Sequence, residues 1–188
     1  MPAYYWDSCI FIAHFNNERS THNHLIDHIK QFLDESQAGK CHIYSSSITI
    51  AEITERTLRT VAVGTFRDFL KDFQSSIILI DPDPNTMTIA SHLRSQVYVQ
   101  PGAKSRHLGT PDAIHLATAI NLKEIYDVEL DGFHTFDAGK SRGVDGGKGM
   151  PLIGFQNWTE NCQSDRWVKK VVALNRSRPE HPTPLLNV

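Results

Sequence analysis

The amino-acid sequence predicts an α/β fold in which a mainly parallel sheet lies between two layers of helices. Short apolar runs typical of buried strands alternate along the chain with segments whose apolar residues recur every three or four positions. The run at residues 77–80 is entirely apolar and is stopped by Pro82 and Pro84, a pattern typical of a strand buried on both faces of a parallel sheet. We therefore expect a three-layer α/β/α sandwich.

The strands are predicted first, because they set the order of the sheet. The apolar run that begins at Ala3 reads as a strand ending at Asp7, and later strands are predicted where β-branched and aromatic residues cluster between turn residues. The predicted strands cover residues 3–7, 42–45, 77–80, 132–137 and 151–153. Residues from 176 onward, with three prolines and no periodicity, read as an extended tail.

The predicted helices follow from periodicity and from residues that favour helix ends. Residues 45–47 are serines, which favour the N-cap of a helix that carries Glu52. Thr110 is predicted as an N-cap, with Pro111 at the first helical position and Asp112 in the first turn, where the helix dipole favours an anion. The predicted helices cover residues 10–15, 25–33, 66–73 and 87–97, with one more helix that carries Glu52 and a last helix from residue 110.

Length and composition limit the class of protein. The 188 residues suit one domain, predicted over residues 1–155, with a partly irregular C-terminal extension over residues 156–188. A 40% apolar content, no run long enough for a membrane span and no visible export signal favour a soluble, cytoplasmic protein. Three scattered cysteines match no zinc motif. A net charge of −2 excludes a globally basic nucleic-acid-binding domain, so any such binding is local.

Four acidic residues stand at the ends of predicted elements: Asp7, Glu52, Asp112 and Asp137. Ligands of parallel sheets bind beyond the carboxyl ends of the strands, and all four acids are predicted at that edge. Taken singly, each could cap a helix or begin a turn. Taken together, they would repel one another and raise one another's pKa unless a cation neutralised them. The set therefore predicts a site for a hard divalent cation.

The segments that carry these acids, in their order, resemble the PIN-domain nucleases, and most closely the VapC-like toxin ribonucleases of toxin–antitoxin pairs. The resemblance covers roughly residues 4–155 and rests on the first strand with Asp7 and Ser8, the segment ending at Glu52, residues 110–119 and residues 135–137. It implies a PIN-like fold in which the four acids hold Mg²⁺ or Mn²⁺. Hydroxyls of Ser8 and Thr135 would support them.

The resemblance also implies an activity and a partner. The chain would be a metal-dependent endoribonuclease that hydrolyses phosphodiester bonds in single-stranded RNA, with a cognate antitoxin protein as its partner. Substrate phosphates would meet basic residues of the glycine-rich loop that follows Asp137, and the candidates there are Lys140, Arg142 and Lys148. Lys104 and Arg106, which precede Asp112, are the second choice.

Several alternatives stay open from the sequence. A PIN-type fold could serve as a catalytically silent module that binds RNA or protein, or as a housekeeping nuclease without an antitoxin. An aspartyl phosphatase of the haloacid-dehalogenase type also places an Asp after its first strand, but it requires Asp-x-Asp, and residue 9 is Cys. DNA as the substrate and a homodimer as the assembly are two further alternatives. His115, three residues after Asp112, is predicted to pack or hydrogen-bond within the helix layer rather than to bind metal.

Overall fold

The structure is a computed structural model that describes residues 1–139 and 149–182, and these residues form a five-stranded, all-parallel sheet flanked by helices. The prediction of a three-layer α/β/α sandwich is confirmed. The strands are β1 (Ala3–Trp6), β2 (His42–Ser46), β3 (Ile77–Ile80), β4 (Gly132–His134) and β5 (Arg176–Ser177), in the spatial order β3-β2-β1-β4-β5.

The helices cover both faces of this sheet. They are α1 (Ser8–Phe15), α2 (Arg19–His22), α3 (Leu25–Gln37), α4 (Ile48–Glu52), α5 (Val63–Asp72), α6 (Pro84–Ser95), α7 (Thr110–Tyr126) and α8 (Arg166–Ala173). Among the residues described, no helix combines the length and the apolar character that crossing a membrane requires.

Two hydrophobic cores lie on the opposite faces of the central strand β1. Tyr5 belongs to the core beneath α6, α7 and α8, whereas its neighbour Trp6 belongs to the core beneath α1, α3 and α5. Successive side chains of a strand point to opposite faces, and both of these residues are fully buried. The strand that precedes Asp7 is therefore packed on both faces.

The last strand of the sheet differs from our prediction. Residues 151–153 form no strand, and the fifth strand is instead Arg176–Ser177, within the segment interpreted as an extended tail. Its pairing with β4 includes hydrogen bonds from the Phe133 amide to the Asn175 carbonyl and from the Thr135 amide to the Ser177 carbonyl. A two-residue strand made of Arg and Ser has no apolar pattern of its own, so its conformation depends on the neighbouring strand.

Two smaller predictions also need correction. The run at residues 77–80 forms a strand, but that strand lies at the edge of the sheet and only Ile77 is buried. The N-cap of α7 is Gly109, and Thr110 is the first helical residue. Pro111 and Asp112 remain in the first turn of the helix, so the shift by one residue leaves the predicted position of the acid intact.

Candidate metal centre

The four predicted acids lie at or near the ends of four elements. Asp7 follows β1 directly and is the N-cap of α1, and Glu52 is the last residue of α4. Asp112 lies in the first turn of α7, and Asp137 lies three residues beyond the end of β4. Because parallel strands end at the same edge of a sheet, β1 and β4 bring Asp7 and the segment before Asp137 side by side.

Asp7 is a buried carboxylate that is held through one of its two oxygens. Its side chain accepts hydrogen bonds at Oδ2 from the Thr135 hydroxyl at 2.7 Å and from the Cys9 thiol at 3.2 Å. Its backbone amide donates to the His134 carbonyl at 3.1 Å. The other oxygen, Oδ1, lies 3.7 Å from His115 Nε2. Thr135 therefore orients Asp7 and leaves Oδ1 facing the interior of the site.

Glu52 is held in the same one-sided way. Its Oε2 accepts hydrogen bonds from the Ser8 hydroxyl at 2.6 Å and from His115 Nε2 at 2.9 Å. No residue in the described part of the chain donates to Oε1. Burial by itself would raise the pKa of Glu52, but the hydrogen bonds from His115 and Ser8 outweigh it and lower that pKa. Glu52 is thus ionised, with one oxygen free for a ligand.

His115 lies at the centre of this cluster, whereas the sequence predicted that it packs or hydrogen-bonds within the helix layer. Its ring is fully buried, with Nδ1 2.9 Å from the Tyr5 hydroxyl and Nε2 next to Glu52. Burial lowers the pKa of His115, but the bond to Glu52 and the charges of Asp7 and Asp112 more than offset it, so the net pKa is raised. The signal that could have indicated this role is the spacing of three residues from Asp112, which puts both side chains on one helix face.

Three of these residues come close enough to share a metal ion. One ligand atom from each of Asp7, Glu52 and His115 lies within 4.8 Å of the others. This group, called the metal triad below, could hold a metal ion. Asp112 and Asp137 lie outside it.

Asp112 and Asp137 nevertheless act on the metal triad through their charges. Burial, followed by the negative charges of the other three acids, raises the pKa of Asp112 to about 7. Burial and the charge of Asp7 also raise the pKa of Asp137, against a hydrogen bond from the Gly139 amide and the charge of Arg106. Buried carboxylates that repel one another and offer hard oxygen atoms fit a divalent cation such as Mg²⁺.

Comparisons with protein-family models, with curated proteins and with solved structures found no match for this chain.

The residues predicted to bind substrate phosphates differ in their positions relative to the acids. Lys140, Arg142 and Lys148 lie outside the described residues. Lys104 is exposed. Arg106 is held in place: its guanidinium stacks 3.9 Å from the centre of the Trp158 ring and donates to the Gly149 carbonyl at 2.8 Å. Its charge acts on Asp137, so it is a cation beside the acidic cluster.

Proposed function

We propose that this chain is a divalent-metal-dependent nuclease of the PIN type that hydrolyses phosphodiester bonds in single-stranded RNA. The observation that carries the proposal is the one-sided anchoring of two carboxylates, in which Thr135 holds Asp7 and Ser8 holds Glu52. Each acid keeps one oxygen directed away from its anchor. The raised pKa of Asp112 adds a third carboxyl group that a cation would convert to its ionised form.

The residues of the site would have two roles, metal binding and the positioning of the metal ligands. Asp7, Glu52 and Asp112 would hold Mg²⁺ or Mn²⁺, with Asp137 completing the acidic set. Such an ion, when bound, would supply Lewis-acid stabilisation of a phosphoryl oxygen and would lower the pKa of water. Ser8 and Thr135 keep the carboxylates in place, so that little reorganisation is needed when substrate binds.

The substrate and partner rest on the resemblance and on one local feature. Single-stranded RNA and a cognate antitoxin are what the resemblance to VapC-like toxins implies. Arg106, fixed by Trp158 near Asp137, is suited to contact a backbone phosphate beside the acids. The alternatives are a silent RNA- or protein-binding module and a housekeeping nuclease, and they differ from the proposal in cleavage activity and in the need for an antitoxin.

Cleavage of labelled single-stranded RNA, and of DNA with the same sequence, tests the activity. We expect cleavage with Mg²⁺ or Mn²⁺, none with EDTA, and a loss of at least about a hundredfold in Asp7→Asn and Asp112→Asn. Asp34→Asn, which changes an exposed acid of α3, is the matched control and should keep full activity. Cleavage that survives EDTA, or that is unchanged in Asp7→Asn, would show that these acids do not form the active site.

Arg106→Gln tests the phosphate contact. Substrate affinity should fall. The slope of the logarithm of affinity against the logarithm of salt concentration should decrease by about one, as expected for the loss of one phosphate contact. Arg67→Gln, at an exposed position of α5, is the control and should change neither quantity. Equal behaviour of the two variants would assign Arg106 to packing against Trp158 alone.

A further inference from the structure

We propose that His115 is a positioning residue that holds the Glu52 carboxylate through its Nε2–H group, and that it is not a ligand of the metal. This inference rests on the proposed function, because it concerns the same acidic site. Of the metal triad, only the two carboxylates, Asp7 and Glu52, would then be metal ligands. The inference also predicts the class of metal that the site prefers.

The surroundings of His115 Nε2 determine which nitrogen carries a proton. Oε2 of Glu52 lies 2.9 Å away, and the Ser8 hydroxyl oxygen lies 3.0 Å away. The Ser8 hydroxyl has one hydrogen and two acceptors for it, Oε2 of Glu52 at 2.6 Å and Oγ1 of Thr49 at 3.0 Å. With either acceptor, Ser8 presents a lone pair to the imidazole. An unprotonated Nε2 would then face only lone pairs in a fully buried position. A proton on Nε2 removes that repulsion and makes a charge-assisted hydrogen bond to Glu52.

The other ring nitrogen has a partner of its own. His115 Nδ1 lies 2.9 Å from the Tyr5 hydroxyl, which is also fully buried. With the proton of a neutral ring on Nε2, Nδ1 accepts the Tyr5 hydrogen, and both ring nitrogens are satisfied. The Tyr5 hydroxyl is therefore compatible with the arrangement that Glu52 requires. Binding of a metal through Nε2 would break the bond to Glu52 and move the ring proton to Nδ1.

The two carboxylate oxygens of Glu52 therefore have different roles. Ser8 and His115 both donate to Oε2, while no described residue donates to Oε1. His115 thus orients the carboxylate from the same side as Ser8 and leaves Oε1 for the ion. Without His115 as a ligand, the donors are carboxylate oxygens alone, a set that suits Mg²⁺ and Mn²⁺ rather than Zn²⁺.

Long-range ¹H–¹⁵N NMR of the full chain reads the protonation of His115 directly. The chain has ten histidines, so the His115 signals are assigned by their absence in His115→Gln. At pH 7.5 we expect a protonated Nε2, both in EDTA and at saturating Mg²⁺. An unprotonated Nε2 in either condition overturns the inference.

Mn²⁺ binding to two matched variants gives a second measurement. The Gln side-chain amide of His115→Gln can place a donor near the position of Nε2, whereas the Asn amide of His115→Asn ends near Nδ1. If His115 acts as a donor, His115→Gln should keep Mn²⁺ affinity within about threefold, and His115→Asn should lose about tenfold or more. Equal losses in both variants, at unchanged melting temperatures, would show that the imidazole itself is required and would overturn the inference.

Failure of this inference and failure of the proposed function are distinguishable. RNA that is cleaved by a protein with an unprotonated His115 Nε2 rejects only the role of His115. A chain that cleaves neither RNA nor DNA, but whose Nε2 stays protonated, rejects only the nuclease. The metal-free NMR spectrum decides the role of His115 even if Mg²⁺ does not bind.

Discussion

The Thr135 hydroxyl donates a 2.7 Å hydrogen bond to Oδ2 of Asp7, across a sequence separation of 128 residues. The parallel register of β1 and β4 produces this contact. Trp6 pairs with His134, and Asp7 and Thr135 are the residues that directly follow this pair. Thr135 also accepts a hydrogen bond from the Asp137 amide at 3.0 Å. One buried hydroxyl therefore connects two of the four acids.

Thr135→Val should remove this anchor while keeping the shape of the side chain. A hydrogen bond to a charged group contributes about 1.5–3 kcal/mol, so we expect the free energy of unfolding in urea to fall by that amount. Thr88→Val, at an exposed position of α6, is the control and should change stability by less than about 0.5 kcal/mol. Equal stability of the two variants would mean that the bond to Asp7 contributes nothing.

The raised pKa of Asp112 predicts a pH dependence of stability in EDTA. Since the pKa rises from 3.8 to about 7 on folding, the folded chain binds more protons between these values. The contribution of Asp112 is therefore fully favourable below about pH 4 and is lost as the pH rises to about 7. A pKa difference of one between the folded and unfolded states corresponds to about 1.4 kcal/mol of stability. The difference for Asp112 therefore limits the loss of stability to about 4 kcal/mol.

Asp112→Asn should remove that loss. Urea unfolding in EDTA should show the variant gaining stability relative to the wild type between pH 5 and pH 8, whereas Asp34→Asn, at an exposed position, should follow the wild type. At pH 8 and saturating Mn²⁺ the wild type should instead be more stable than Asp112→Asn, because the ion stabilises only the protein that binds it. An Asp112→Asn curve parallel to the wild type would show that Asp112 titrates normally.

Gly109 limits the space available to the Asp112 carboxylate. A Cβ atom at residue 109 would lie 3.0 Å from Oδ2 of Asp112, so Gly109→Ala should displace the carboxylate by a few tenths of an ångström and weaken Mn²⁺ binding. Ala is also a poor N-cap, with a cost of up to about 1 kcal/mol. Calorimetric titration with Mn²⁺ and thermal melts separate the two effects.

Gly109→Ser and Gly64→Ala are the controls for this substitution. Serine restores a good N-cap but keeps the Cβ, so stability should recover while Mn²⁺ affinity stays low. Nothing lies within 4 Å of a Cβ at Gly64 in α5, and alanine there should stabilise the helix by up to about 1 kcal/mol without affecting Mn²⁺. Wild-type Mn²⁺ affinity in Gly109→Ala would exclude the steric explanation.

Truncation after residue 155 tests whether the predicted domain of residues 1–155 folds alone. The shortened chain lacks α8 and β5, and with them the fully buried Val168 and Val171. Each buried valine contributes about 1.5–3 kcal/mol, against a total of about 5–15 kcal/mol for a typical domain. We expect aggregation in size-exclusion chromatography and a non-cooperative melt. A monomeric, cooperatively folding chain of residues 1–155 would place the domain boundary there.

Several elements could be predicted because their signals are local. Residues 77–80 form a strand since an apolar run is followed by prolines that cannot continue it, and Asp112 lies in the first turn of α7 because Pro111 favours a helix start. Such patterns depend on neighbours in the sequence. They state what an element is, but not what it touches.

The fifth strand and the role of His115 could not be predicted in this way. Arg176 and Ser177 form a strand only because β4 offers free backbone groups beside them. His115 meets Glu52 across a separation of 63 residues, and no local pattern encodes that distance. The strand predicted at residues 151–153 was wrong for the same reason, because an apolar triplet can pack without joining the sheet.

The sequence by itself determined the fold class and the positions of the acids at the ends of their elements, because periodicity and helix-end preferences act over a few residues. Only the tertiary structure decided that Asp7 and Glu52 are each held through one oxygen, that His115 lies between them, and that Asp112 and Asp137 act on them through charge. Hydrogen bonds and pKa values depend on distances of a few ångströms between groups far apart along the chain, and the register of the parallel sheet sets those distances.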